Sequence, residues 1–352
     1  MLRNKRNSSF ELLRIISTIM IISLHYSFWG GYEKQTHDTL TCGAVYVQFL
    51  QMFGRVACSE FVMISGYYLI HSTKSNYYKK IAGIVLEMLF YSFTISVFVV
   101  LIGYEDNVIW YRSLFPFIFD NWFACFYIVF LLILPYLNKM LAALDEKEFK
   151  RLIIIMIVIW SIIPTLTLNY WQFSNVDFFV VTYCIGAYLG RFGIQDSKRK
   201  CIIMALLFAM LMLLSVVGFD LLAVITKNDK FINHSVDFKE FNNMVALLFS
   251  ISFFKCFTFL NFNNSLVNIV AKSSLGIYLI SDNYLMRSLI WEEIYPNKEY
   301  INNPFVHSFL KISAVFIICL FIDYLRSNFI ANRVDEKIIE RMRNLIKKVE
   351  LK

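Results

Sequence analysis

SFELLRIISTIMIISLHY, residues 9–26, decides how the rest of the chain is read. After Glu11 the stretch is apolar except for two ionisable side chains, Arg14 and His25, and the hydroxyls of Ser17, Thr18 and Ser23. As an α-helix, its eleven steps from Arg14 to His25 bring the two side chains within roughly 20° of each other, about 16 Å apart along the axis. Arginine and imidazole are costly inside a membrane span and normally face the protein interior or an aqueous cavity. The pair is therefore the first candidate site. Glu11 and Thr18 fall on the same stripe, within about 60° of Arg14 and His25. A stripe of this kind can line a passage running inward from one end of the helix.

The setting is a membrane. Of 352 residues, 58% are hydrophobic, only 17% are charged and 35 are Phe, a balance well outside that of soluble domains. Mean hydropathy is +0.57. Apolar stretches able to cross a ~30 Å hydrocarbon core lie at 12–29, 44–70, 81–103, 120–138, 152–168, 176–190, 201–225, 243–260, 265–290 and 304–325. The expected fold is all-α, a polytopic helical membrane protein of about ten transmembrane helices forming one domain over 1–352, with a basic tail at 326–352.

Charge in the connecting segments orients the bundle. Taking alternate connections from the N-terminus, one side holds Arg3, Lys5 and Arg6; Lys74, Lys79 and Lys80; Lys139, Lys147, Lys150 and Arg151; Arg191, Lys198, Arg199 and Lys200; and eight basic residues of the tail. That makes 22, against 6 on the other side: Lys34, Arg112, Lys227, Lys230, Lys239 and Lys298. The positive-inside rule then makes both termini cytoplasmic. The formal charge of +8 is thus a topology signal spread over many connections, not the single basic face of a nucleic-acid binder. The first apolar run exceeds a usual signal-peptide core, and HYSFWGGYEK follows it where a small-x-small cleavage site would stand, so it reads as a retained helix.

Other chemistries find little support. Cys42, Cys58, Cys125, Cys184, Cys201, Cys256 and Cys319 are odd in number, widely spaced and without CxxC pairing, as expected of free thiols. His37, His71, His234 and His307 are isolated, and no HxxxH or HExxH spacing occurs, so no metal is expected. Without a P-loop or GxGxxG the chain does not read as an ATP-driven pump. The remaining intramembrane polar groups are Arg55 and Glu60, Glu87, Asp177, Asp282, Asn283 and Arg287, and Asp323 with Arg326. Lys255, Lys272, Lys311 and Arg326 lie near span ends, where snorkelling or structural ion pairs account for them.

Arginine at the cytoplasmic end of the first helix suits an anionic ligand, because a guanidinium binds phosphate bidentately. Histidine deeper in suits proton transfer. In this arrangement SFELLRIISTIMIISLHY resembles the first helix of the integral membrane acyltransferase 3 family. GRVACSEFVMISGYYL (54–69), NWFACFYIVFLLILPYLNKML (121–141), YCIGAYLGRF (183–192) and SSLGIYLISDNYLMRSLIW (273–291) are similar to later blocks of that family, in the same order. Members often carry His immediately before the Asp-Asn pair, whereas Ser281 precedes Asp282 and Asn283 here. Glu60 stands at a position that is usually apolar, where it could pair with Arg55 through water.

The resemblance implies an O-acyltransferase of the bacterial plasma membrane. It implies cytoplasmic acetyl-CoA or another acyl-CoA as donor, and a hydroxyl of a cell-surface or lipid-linked glycan as acceptor. Transfer is expected to finish within the membrane domain, since no appended esterase-like domain is seen. His25 would act as general base or transient acyl carrier. Arg14 would bind CoA phosphates, and Arg55 a thioester oxyanion or a second phosphate. Glu11, Thr18, Glu60, Glu87, Trp122, Tyr127, Asp282 and Asn283 are supporting candidates. The rival reading is a glycan or lipid transporter, a flippase or polymerase of surface polysaccharide assembly. The Arg-x10-His face and the ordered blocks separate the two, since a carrier has no need of either.

Overall fold

A computed structural model describes residues 7–32, 35–70, 76–167, 175–240 and 242–335, with 337 and 340. His71, several of the basic residues counted for topology and most of the tail lie outside the described residues. The described chain is helical throughout, without a strand. The main helices are α1 (Ser9–Phe28), α2 (Cys42–Gln51), α3 (Gly54–Leu69), α4 (Asn76–Leu101), α5 (Trp122–Ala143), α6 (Glu146–Ile157), α7 (Asn175–Phe192), α8 (Lys198–Thr226), α9 (Met244–Thr258), α10 (Ser265–Lys272), α11 (Ser274–Ser281), α12 (Tyr284–Ser288) and α13 (Pro304–Arg326).

Among the described residues, seven helical stretches are long and apolar enough to cross a membrane. They account for the first, third, fourth, fifth, seventh, eighth and tenth expected spans. The other three expected spans fall outside that set. The stretch 44–70 breaks at Met52 and Phe53 into α2 and α3, and 265–290 breaks at Ser273 and again at Asp282 and Asn283. The third, α7, carries Asp177 and Arg191 within its 18 residues. All three carry long runs of buried residues, whereas α8 and α13 expose rows of Leu, Ile and Phe. This is the physical reason for the breaks. Backbone interrupted at membrane depth is tolerated where protein, not lipid, surrounds it, and shielded helices need not be apolar.

At the centre, α3 and α7 touch backbone to backbone. A Cβ at Gly186 would overlap the carbonyl oxygen of Met63, and one at Gly66 would overlap that of Tyr183. Gly186 and Gly190 are four residues apart on α7, the small-xxx-small spacing that lets membrane helices approach closely. α1 lies across α3, with Leu13, Ile22 and Tyr26 fully buried. Ser8 fixes its N-terminal end, donating through its backbone N–H to the carbonyl of Phe262 at 2.8 Å. Two of the four basic residues near span ends form the expected ion pairs. Lys255 reaches Asp196 at 2.7 Å, and Arg326 bridges Glu87 and Asp335, each at 3.1 Å, with Asp323 at 3.4 Å. Lys311 donates instead to the carbonyls of Ile294 and Tyr295 and to Asn297 Oδ1.

Candidate functional site

Two residues that are far apart in sequence meet at the C-terminal end of α1. The Asp282–Asn283 break ends α11 and starts α12, whose first turn is capped by the Asn283 side chain accepting from Leu285 N–H at 3.0 Å. The break turns Asp282 toward α1. Its Oδ1 lies 3.4 Å from His25 Nε2, 3.1 and 3.0 Å from Arg287 Nε and Nη2, and 3.3 Å from Trp29 Nε1. The Arg287 guanidinium stacks on the Trp29 ring at 4.1 Å. His25 and Asp282 are both buried. The other imidazole nitrogen, Nδ1, is 3.5 Å from Ser281 Oγ. Ser281, just before the Asp-Asn pair, therefore abuts His25 at the outer limit of a hydrogen bond.

A cavity opens beside His25. Trp29, Trp122, Arg55, Lys239, Asp282 and Arg287 contribute to its lining. Arg55 reaches it from the first turn of α3, which can press against α1 because Gly54 has no Cβ to strike Leu24. Its guanidinium is 2.7 Å from Glu240. The turn Asp237–Lys239 brings Lys239 to the same wall.

A second cavity lies toward the N-terminal half of α1. Arg14, Lys80 and Lys272 bring three cations to it, with Ser65 and Tyr127 between them. Tyr127 Oη sits 2.7 Å from Ser65 Oγ and accepts from Lys80 Nζ at 2.6 Å. Arg14 is anchored by Glu11, with its Nη1 2.9 and 3.1 Å from the two carboxylate oxygens. Ile21, Phe123 and Tyr278 line both cavities. Together they form the partition between the cation-rich chamber and the histidine chamber.

Of the expected site residues, the structure brings His25, Arg55, Trp122 and Asp282 to one chamber and Arg14 and Tyr127 to the other. The stripe on α1 is not a continuous passage. Glu11 and Thr18 line neither cavity: Glu11 is buried against Arg14, and Thr18 Oγ1 donates to the Arg14 carbonyl at 2.8 Å. Asn283 serves as a helix cap. Glu87 belongs to the Arg326 cluster. Arg55 forms a direct ion pair with Glu240. Both Glu60 carboxylate oxygens are buried without a hydrogen-bond partner among the described residues. Lys80, Lys239, Lys272 and Arg287 complete the chambers without having been candidates. The first two sit in connections where basic residues count toward topology, and Arg287 carried no link to Asp282 beyond a spacing of five. All seven cysteines are free, and no group of three potential metal ligands occurs among the described residues.

Comparison with curated proteins and with solved structures returns no match in either set. A family model described as an acyltransferase domain does match, over residues 7–324, which takes in every helix lining the two chambers. The chain belongs to the acyltransferase 3 family, and with its bundle of long apolar helices it is an integral membrane acyltransferase.

Proposed function

We propose that the protein transfers an acetyl group from cytoplasmic acetyl-CoA to a hydroxyl of a cell-surface or lipid-linked glycan. The observation that carries this reading is the pair of chambers meeting at Ile21, Phe123 and Tyr278, one built around Arg14 and the other around His25. With both termini cytoplasmic, the Arg14 chamber opens to the side where acyl-CoA is found. Arg14, Lys80 and Lys272 supply the charge-assisted donors that phosphate groups require. The thioester then reaches the partition while the nucleotide stays in the cation-rich chamber.

On the other side, Trp122 and Trp29, the latter stacked with Arg287, give the sugar an aromatic wall. His25 takes the proton of the acceptor hydroxyl as the oxygen attacks the thioester carbonyl. The tetrahedral intermediate collapses, the carbon–sulfur bond breaks, and the proton passes to the leaving CoA thiolate. Asp282 orients the imidazole and stabilises its protonated form. Arg55, engaged by Glu240 at the acceptor chamber, is assigned to acceptor binding and not to the donor phosphates.

The test uses purified full-length protein in lipid vesicles with radiolabelled acetyl-CoA and an acceptor glycan. His25→Ala is expected to lower transfer by about 10²–10⁴-fold, the range of general acid–base catalysis, with CoA affinity retained. Transfer at the wild-type rate in that variant overturns the assignment. A labelled acetyl-enzyme in the wild type that is lost in the variant would make His25 the acyl carrier.

A further inference from the structure

We infer that the acceptor carries an acidic group, a carboxylate or a phosphate on the sugar, which is held by Lys239. The inference rests on the His25 chamber being the acceptor site. Three cations line that chamber, and two of them are neutralised within it. Arg287 pairs with Asp282 at 3.0 Å and Arg55 with Glu240 at 2.7 Å. Lys239 is different. Its Nζ donates to the neutral amide oxygen of Gln51 at 2.8 Å and lies 5.8 Å from the centre of the Phe28 ring. Among the described residues no carboxylate comes within ion-pair distance of it.

Only 9% of Lys239 is exposed, although it lines an open cavity. The nearby carboxylates, Glu240 and Asp237, engage Arg55 and His234 and not this ammonium; burying an ammonium without a direct ion-pair partner is expensive, and buried charges are ordinarily paired. The surroundings hold this one in place. Ser235 Oγ donates to Gln48 Oε1 at 2.7 Å, and His234 meets Asp237 at 2.7 Å, which fixes the turn that carries Lys239. Gln51 Nε2 donates to Ser27 Oγ at 2.8 Å, which orients its oxygen toward the ammonium. A lysine built into the wall with a neutral partner leaves two donors for a ligand. The matching ligand is an anion that enters with the acceptor. The chamber's aromatic residues suit the apolar faces of the sugar ring that bears it.

Carboxylate and phosphate share this chemistry, and the test separates them. Binding of methyl glucuronoside, methyl glucoside 6-phosphate and neutral methyl glucoside to the purified full chain is measured calorimetrically, and each is then offered as acceptor with acetyl-CoA. The expected result is binding at least tenfold tighter for one or both anions than for the neutral sugar, a charge-assisted hydrogen bond being worth that much or more. Raised salt should narrow the gap. Lys239→Gln should bring the ratio of anionic to neutral affinity close to one, and Lys239→Arg should restore most of it. Equal affinity for all three sugars in the wild type overturns the inference, as does a preference that survives Lys239→Gln. Because binding requires no chemistry, the two readings fail separately. Anion-selective binding without acetyl transfer to any acceptor counts against the transferase mechanism, and transfer without anion selectivity counts against Lys239 alone.

Discussion

Asp282→Asn removes one negative charge and leaves the shape of the site unchanged. In the wild type, a single oxygen, Oδ1, serves His25 at 3.4 Å, Arg287 at 3.0 Å and Trp29 at 3.3 Å. The contact with His25 is long for a hydrogen bond and the one with Arg287 is not. Before the reaction the carboxylate is therefore held mainly by the guanidinium. As the imidazole gains a proton the contact shortens, and the charge on Asp282 is worth most at that moment. A hydrogen bond to a charged group contributes about 1.5–3 kcal/mol, and each 1.4 kcal/mol is tenfold in rate. The variant should therefore lose roughly 10- to 100-fold in kcat, less than the loss for His25→Ala. Steady-state transfer of labelled acetyl groups measures this directly. The decisive comparison is the double variant. If Asp282 acts through His25, Asp282→Asn costs nothing further once the imidazole is gone. Additive losses in the double variant, or a wild-type kcat in Asp282→Asn, would refute the assignment of Asp282 as a positioning residue.

Arg14→Ala should raise the KM for acetyl-CoA at least tenfold while leaving acceptor affinity alone, as titration of each ligand would show; unchanged donor affinity removes the phosphate role. Gly186→Leu should prevent the folded protein from accumulating, because its side chain must displace the Met63 backbone and overpacking costs about 1–3 kcal/mol or more; size-exclusion profiles in detergent would reveal it, and a normal profile would show that α3 and α7 can separate. Asp196, in the connection before α8, accepts from Lys200 and Lys255, and these bonds lower its carboxyl from its ordinary 3.8 to about 2. The pairing thus stabilises the fold in full above the ordinary value and is lost progressively as pH falls from there through about 2. The melting-temperature difference between wild type and Asp196→Asn should be small, reflecting about 1 kcal/mol or less, and constant from pH 5 to pH 8. A difference that changes within that window contradicts the pairing.

Much of the fold and part of the site could be read without coordinates, for reasons that also explain what could not. Arg14 and His25 stood out because a charge inside an apolar helix is costly wherever it lies, so the cost is visible along a single element. Asp282 was visible for the same reason, but its partnership with His25 depends on a helix break that the apolar run 265–290 conceals. Lys80 and Lys239 were concealed differently. A lysine in a connection between spans already has an explanation in topology, and only the folded chain shows that these two turn inward. The interrupted helices follow the same logic. Hydropathy detects contact with lipid, so it describes the outer helices well and the protein-shielded ones, which carry the site, less well.

The partition, by contrast, was present in the first helix all along. Ile21 lies seven residues beyond Arg14, a rotation that returns it to within roughly 20° of the same face. It therefore stands on the polar stripe, between Arg14 and His25, as an apolar residue where a water-filled passage would favour a polar one. In the structure this side chain lines both chambers. A carrier needs a route by which its cargo passes, and a large apolar side chain at the midpoint of the stripe obstructs one. A transferase needs only that two reactants meet at a point, each held on its own side, with water kept away from a reactive thioester. The interval of ten residues between Arg14 and His25 is better understood as two half-sites facing each other across Ile21, Phe123 and Tyr278 than as a channel.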